Sequence, residues 1–137
     1  FGRPGVSAAL REVGVESAAA LLATWVTDRD GLVAFVGDAP PVTDDRPRIE
    51  VAPWLRPGEM ARVLPAVLET TTDPQLQNAD DAFVADVESY RTQLGLLFRA
   101  LQASLEGEDE IQRESLRRLR AAAPGNPYYA WIAPAAR

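Results

Sequence analysis

The sequence contains no cysteine and no histidine. Without cysteine there is no disulfide framework, no thiolate nucleophile and no zinc–thiolate site. Without histidine, the usual general base near neutral pH and the commonest metal ligand are both missing. Any chemistry would therefore depend on carboxylates, hydroxyls, arginine or tyrosine. We find no self-contained active site, and we predict no catalytic residue, no cofactor and no metal in this chain.

Long apolar runs and a basic surface are also lacking. The longest apolar run, 18–26, is far shorter than the roughly 20 residues that a membrane-spanning helix requires. The net charge is −6, which argues against a nucleic-acid partner because such binding requires a phosphate-neutralising face. Residues 1–5 have neither the basic nor the apolar region of a signal peptide. These patterns predict a soluble fragment of a longer protein.

Apolar residues recur at helical spacing through most of the chain and predict an all-α fold. Ser17 is placed to cap one helix, and Gly14, Gly37 and Gly107 are suited to end others. Pro65 is expected to bend or break the helix that contains it. The six or seven predicted helices cover about 8–13, 18–27, 32–36, 58–70, 79–105, 109–122 and 128–132.

One segment, residues 42–53, is predicted to be extended rather than helical. Pro47 removes a backbone donor and restricts Arg46 to extended geometry. Alternation along an extended chain gives this strap an apolar side and a charged side. The charged and polar candidates for docking on a neighbouring domain, together with the proline between them, are Thr43, Asp44, Asp45, Arg46, Pro47, Arg48 and Glu50. The other interpretation is a local turn in which Asp44 and Asp45 pair with Arg46 or Arg48.

The longest predicted helix carries a near-heptad apolar stripe. Its spacing of four and three residues favours one face that packs on a second helix or binds a partner, including a second copy of the chain. The residues of this stripe are Phe83, Val87, Tyr90, Leu94, Leu97 and Leu101, followed by Leu105. With the helix over 109–122, whose predicted buried face is Ile111, Leu116 and Leu119, it forms a C-terminal helical hairpin.

The runs 17–22 (SAAALL), 28–30 (DRD), 37–40 (GDAP) and 43–50 (TDDRPRIE) resemble the C-terminal part of bacterial spermidine-synthase-like proteins. In many of these, a polyamine aminopropyltransferase-like domain is fused behind transmembrane helices. The resemblance implies an inner-membrane-associated parent with a Rossmann-like domain that transfers an aminopropyl group to a diamine. It also implies a cytoplasmic location for this chain and a partner in the upstream domain of the same polypeptide. None of the family's catalytic motifs lies in this chain.

A second resemblance, to a tetratricopeptide helix pair, covers the C-terminal half. It rests on Leu94, Gly95, Phe98, Leu116, Leu119 and Pro124, and it implies that the small Gly95 lets two helices pack closely. We therefore predict a helical cluster with a strap in residues 1–55 and a hairpin module in residues 56–137. The predicted function is a non-catalytic domain that docks on or completes the aminopropyltransferase-like domain. The alternative is a free-standing helical module for protein–protein interaction.

Overall fold

The structure is a computed structural model that describes residues 3–39 and 57–126. Within these two ranges it is all-α and contains no strand, which confirms the predicted fold class. The predicted helix over 128–132 and the strap of residues 42–53 lie outside the described residues. The helices of these two ranges are α1 (Pro4–Glu12), α2 (Ala18–Ala23), α3 (Arg29–Val36), α4 (Pro57–Glu69), α5 (Asp81–Glu106) and α6 (Asp109–Ala122).

Short polar side chains and glycines set most of the helix ends. Ser17, Asp28 and Asp80 each accept a hydrogen bond from the backbone N–H three residues further on, at 3.0, 2.9 and 2.8 Å. These bonds satisfy donors that the first turn of a helix leaves unpaired. Gly14 and Gly107 adopt φ angles of 88° and 77° after α1 and α5. Glycine reaches this left-handed region without steric cost, so both helices end there as predicted.

Two prolines, Pro4 and Pro65, lie within helices of the structure. Helix α1 starts at Pro4 instead of residue 8, because the fixed φ of proline suits the first helical position. Ser7 consequently lies inside α1 as a buried residue of the second turn, and its hydroxyl donates to the carbonyl of Pro4 at 3.0 Å. Pro65 lies inside α4 without ending it, so this proline removes a backbone donor but does not break the helix.

The described residues fall into two units. The first, which we call the core unit, draws on Phe1–Trp25 and Pro74–Arg137; the second, which we call the clasp unit, draws on Val26–Asp73. The predicted domain boundary near residue 55 lies outside the described residues and stays a prediction. The core unit combines two separate stretches of sequence because α2 packs against α5.

The core unit is built on α5, against which both α2 and α6 pack. Leu119 of α6 and Val87 of α5 are its largest completely enclosed side chains. Most other buried positions carry small residues, which lets helix axes approach closely. The buried residues of the core unit are Ser7, Ala19, Ala20, Ala23, Val87, Gln93, Ala100, Ala103, Ser115 and Leu119.

The clasp unit is held by hydrogen bonds between its two ends. The backbone N–H of Thr72 donates to the carbonyl of Val26 at 3.0 Å, and the Thr72 hydroxyl accepts from the N–H of Asp28 at 3.0 Å. The hydroxyl of Thr27 donates to the carbonyl of Thr70 at 2.5 Å. We call this set of contacts the threonine clasp. Among the described residues of this unit, none is buried.

Candidate docking surface

Helix α3 turns its smallest residue toward the threonine clasp. A Cβ atom at Gly31 would overlap the hydroxyl of Thr27 and would lie 2.8 Å from the carbonyl oxygen of Thr70. Only glycine therefore fits at this position without a shift of the clasp. The close approach fixes which side of α3 faces the rest of its unit.

The large apolar residues of α3 lie in an arc of roughly 160° at 3.6 residues per turn, which begins at Phe35, about 40° from Gly31, and ends at Val33. We call this set the apolar arc. Its members and their exposed fractions are Leu32 at 54%, Val33 at 59%, Phe35 at 41% and Val36 at 46%. Single exposed apolar residues are ordinary on a protein surface. Four of them on one short helix form a contiguous patch, which is typical of an interaction site.

Helix α2 shows the same orientation in the core unit. Its buried positions are Ala19, Ala20 and Ala23, whereas Leu21 and Trp25 beside them are 43% and 42% exposed. The small side of α2 thus packs inward, and the large side chains of Leu21 and Trp25 are exposed. The side chain of Arg91 on α5 donates a hydrogen bond to the carbonyl of Trp25 at 2.9 Å. This bond holds the segment that follows α2 against α5.

The predicted stripe of α5 is used largely within the fold. Val87 is 2% exposed, and Leu101 is 43% exposed. Half-buried positions between these extremes are Phe83, Tyr90, Leu94 and Leu97. Toward the end of the helix, the buried positions are Ala100 and Ala103 instead of Leu101 and Leu105. The interior face therefore rotates away from the leucines and onto the alanines.

Helix α6 departs from its predicted face in a similar manner. Leu119 is completely buried and Leu116 is half-buried, but Ile111 is 37% exposed and Ser115 is buried in its place. The tetratricopeptide resemblance placed Gly95 at a close contact between two helices. In the structure Gly95 is exposed, and a Cβ atom at this position would meet no atom within 4 Å. The role predicted for Gly95 is therefore wrong. Small residues do allow close packing of helices in this fold, but these residues are alanines.

The predicted strap residues, from Thr43 to Glu50, lie outside the described residues, so their docking role stays a prediction. The sequence showed that this helix is rich in apolar residues. It did not show that these residues would be exposed. Gly31 was the available signal, because an isolated glycine inside a helix often marks a point of close packing. In residues 3–39 and 57–126, no helix combines the length and apolar character needed to cross a membrane. No cluster of three or more potential metal ligands occurs in those ranges.

The chain matches no protein-family model, and no curated protein or solved structure is significantly similar to it. The two resemblances therefore rest on the quoted residues alone. They stay predictions, and functional inference depends on the surfaces that the described residues present.

Proposed function

We propose that the chain is a non-catalytic helical domain of a membrane-associated spermidine-synthase-like protein. In this proposal it docks on the cytoplasmic aminopropyltransferase-like domain of the same polypeptide. The observation that carries the docking role is the apolar arc, Leu32 to Val36, on a unit with no buried residue among those described. The resemblance of residues 17–50 to the synthase-like family supports the choice of partner.

Docking would bury apolar surface that the described part of the clasp unit leaves exposed. Burial of apolar surface contributes about 25 cal/mol per Å², and small units depend on it because they bury a low fraction of their surface. In the described part of the clasp unit, hydrogen bonds of the threonine clasp hold the ends together, but the large side chains of α3 contribute little burial. A second protein surface that covers the apolar arc would supply this missing contribution.

The strap extends the proposed contact. It follows α3 in the sequence after Pro40 and Pro41, and its predicted alternation offers apolar side chains on one side and charged ones on the other. Asp44, Asp45 and Arg46 are the proposed polar contacts to the synthase-like domain. An apolar centre with charged residues at its margin is the usual composition of a protein–protein interface.

The test measures binding between this chain and the upstream domain encoded in the same polypeptide. Leu32→Glu places a charge in the apolar arc and is expected to weaken binding by about tenfold or more, since hot-spot residues contribute above 1 kcal/mol. Leu101→Glu is the matched control, because Leu101 has similar exposure, 43% against 54%, and lies outside the arc. Hydrogen exchange in the joined protein should slow over residues 29–36 relative to the isolated chain.

The reverse result would favour the second candidate function, an interaction module that uses α5. Leu101 and Leu105 are 43% and 37% exposed and stand one turn apart on that helix, which makes them neighbours on its surface. If sedimentation shows a concentration-dependent dimer that Leu101→Glu abolishes and Leu32→Glu does not, self-association through α5 replaces docking through the arc.

A further inference from the structure

A charged groove runs between α5 and α6 in the core unit, with a volume of about 560 Å³. Arg99 contributes from α5, and the other charged lining residues come from α6: Glu110, Arg113, Glu114, Arg117 and Arg118. Four guanidinium groups against two carboxylates make the lining positive, whereas the chain as a whole carries −6. Because charges beyond about 8 Å are largely screened at physiological salt, the local excess decides what binds there.

The four arginines of the groove differ in their hydrogen-bond partners. Arg117 donates to both carboxylate oxygens of Glu114, at 2.8 and 2.7 Å. These hydrogen bonds, and to a lesser extent the charges of Arg117 and Arg118, hold the pKa of Glu114 below its ordinary value. Arg113 donates to the carbonyl of Asp109 at 3.2 Å. Neither Arg99 nor Arg118 makes an ion pair or hydrogen bond with any described residue.

The two unpaired guanidinium groups lie on different helices and line the same groove. Guanidinium groups bind carboxylates and phosphates through parallel N–H donors. An anionic group seated between Arg99 and Arg118 would therefore receive donors from both sides of the groove. This arrangement indicates an anion-binding surface that neither the strap nor the apolar arc requires.

The dimensions of the groove and its surroundings favour a short ligand. Its lining on α6 runs from Glu110 to Arg118, about 12 Å at 1.5 Å per residue, which matches three or four residues of extended peptide. Four acidic residues crowd the turn at one end of the groove, Glu106, Glu108, Asp109 and Glu110. A long polyanion such as a nucleic acid would extend over these carboxylates, whereas a short acidic segment would not. Ile111, 37% exposed in the lining, offers one apolar contact.

We infer that the groove between α5 and α6 binds a short acidic peptide segment of a partner protein, with Arg99 and Arg118 as the carboxylate-binding residues. Arg117 and Glu114 form the neighbouring wall of the site, and Arg113 extends it toward the acidic turn. This surface belongs to the core unit and does not depend on the proposed docking of the clasp unit.

The test uses a fluorescein-labelled hexapeptide of alternating aspartate and glutamate, with binding to the full chain followed by fluorescence anisotropy. We expect measurable binding that weakens as salt rises from about 50 to about 200 mM, since screening acts on exposed charges. Arg99→Gln and Arg118→Gln should each weaken binding by about fivefold, because each removes a charge-assisted pair. The same peptide built from asparagine and glutamine should not bind.

A control for the change in net charge comes from the clasp unit, where Arg62 pairs with Glu59 at 2.6 Å and is 76% exposed. Arg62→Gln changes the net charge equally and should leave peptide affinity within about twofold. An equal loss with Arg62→Gln, binding of the neutral peptide, or unchanged affinity in both groove variants would each overturn the inference. So would tighter binding of inorganic pyrophosphate or of a single-stranded oligonucleotide than of the acidic peptide.

Discussion

The core unit and the clasp unit orient their short helices in the same way but differ in what covers them. In both units a helix turns its small residues inward, the alanines of α2 in one and Gly31 of α3 in the other. The core unit adds the long helix α5 and its partner α6, which enclose Val87 and Leu119. The clasp unit has the hydrogen bonds of the threonine clasp and no buried residue among those described. The interactions that stabilise the fold are thus concentrated in the core unit. The clasp unit instead presents an exposed apolar surface.

The largest expected effect lies in the core unit. Leu119→Ala should lower the free energy of unfolding by about 2–5 kcal/mol, because it removes buried methyl groups and leaves a cavity. The same substitution at Leu32, which is 54% exposed, should change it by about 0.5 kcal/mol or less, as is usual for surface positions. Urea unfolding followed by circular dichroism measures both. Equal losses in the two variants would show that the units do not differ in burial as described.

A second pair of variants tests the clasp by changing glycine to alanine. Gly31→Ala should destabilise the clasp unit by about 1–3 kcal/mol, because the new methyl group overlaps Thr27 and displaces a well-packed contact. Gly95→Ala is the control: its surroundings are open, and alanine in a helix interior should stabilise by about 0.5–1 kcal/mol. Hydrogen exchange over residues 26–36 and 67–72 should accelerate in the first variant only. If Gly31→Ala leaves those rates unchanged, the clasp does not hold the unit.

A third variant concerns a polar residue in the core unit. Gln93 is 7% exposed, and its side-chain carbonyl oxygen has no hydrogen-bond partner. Leaving a buried acceptor unsatisfied costs about 1–3 kcal/mol, so Gln93→Met, which keeps the length of the side chain, should stabilise the chain by about 1 kcal/mol. Thermal unfolding should show a raised midpoint. A lowered midpoint would mean that the amide group of Gln93 stabilises the core.

The smallest expected effect is in the exposed ion pairs, which occur in both units. Since the pKa of Glu114 is lowered by the hydrogen bonds from Arg117, the pair contributes above the ordinary pKa of a glutamate, near 4.3. That contribution disappears as the pH falls through the lowered pKa. NMR titration should find the Glu114 midpoint below the ordinary value and restored in Arg117→Gln. At neutral pH, Arg117→Gln and Arg62→Gln should both leave stability nearly unchanged, because exposed pairs contribute little.

Local signals in the sequence were sufficient to predict most of the helices. Ser17 caps α2, Gly14 and Gly107 end α1 and α5, and α6 matches its predicted range over 109–122. Each of these features depends on residues within one or two helical turns. The sequence therefore carries the information locally, where backbone hydrogen bonds and allowed φ angles decide the outcome.

The faces of the helices were harder to predict, and the candidate site depends on them. Periodicity locates an apolar stripe, but α2 consists entirely of apolar residues, with the buried alanines on one side and the exposed Leu21 on another. The choice between the two sides is made by α5, about 60 positions later in the chain, against which only the side with the alanines packs closely. On α3, Gly31 is the residue that packs closely, and Leu32 and its neighbours are exposed. Neither outcome can be read from spacing alone.

The threonine clasp also bears on the order of folding. Pairing α2 with α5 closes a loop of roughly 60 residues, and the entropic cost of closure grows with the logarithm of loop length. If Thr72 first bonds Val26, the remaining path between the two helices shrinks to roughly 12 residues, which lowers that cost by about 1.4 kcal/mol. The clasp joins five residues at the two ends of a 48-residue segment: Val26, Thr27, Asp28, Thr70 and Thr72. In this order of folding, closing the clasp carries its own entropic cost, and the later pairing of α2 with α5 then closes only a short loop.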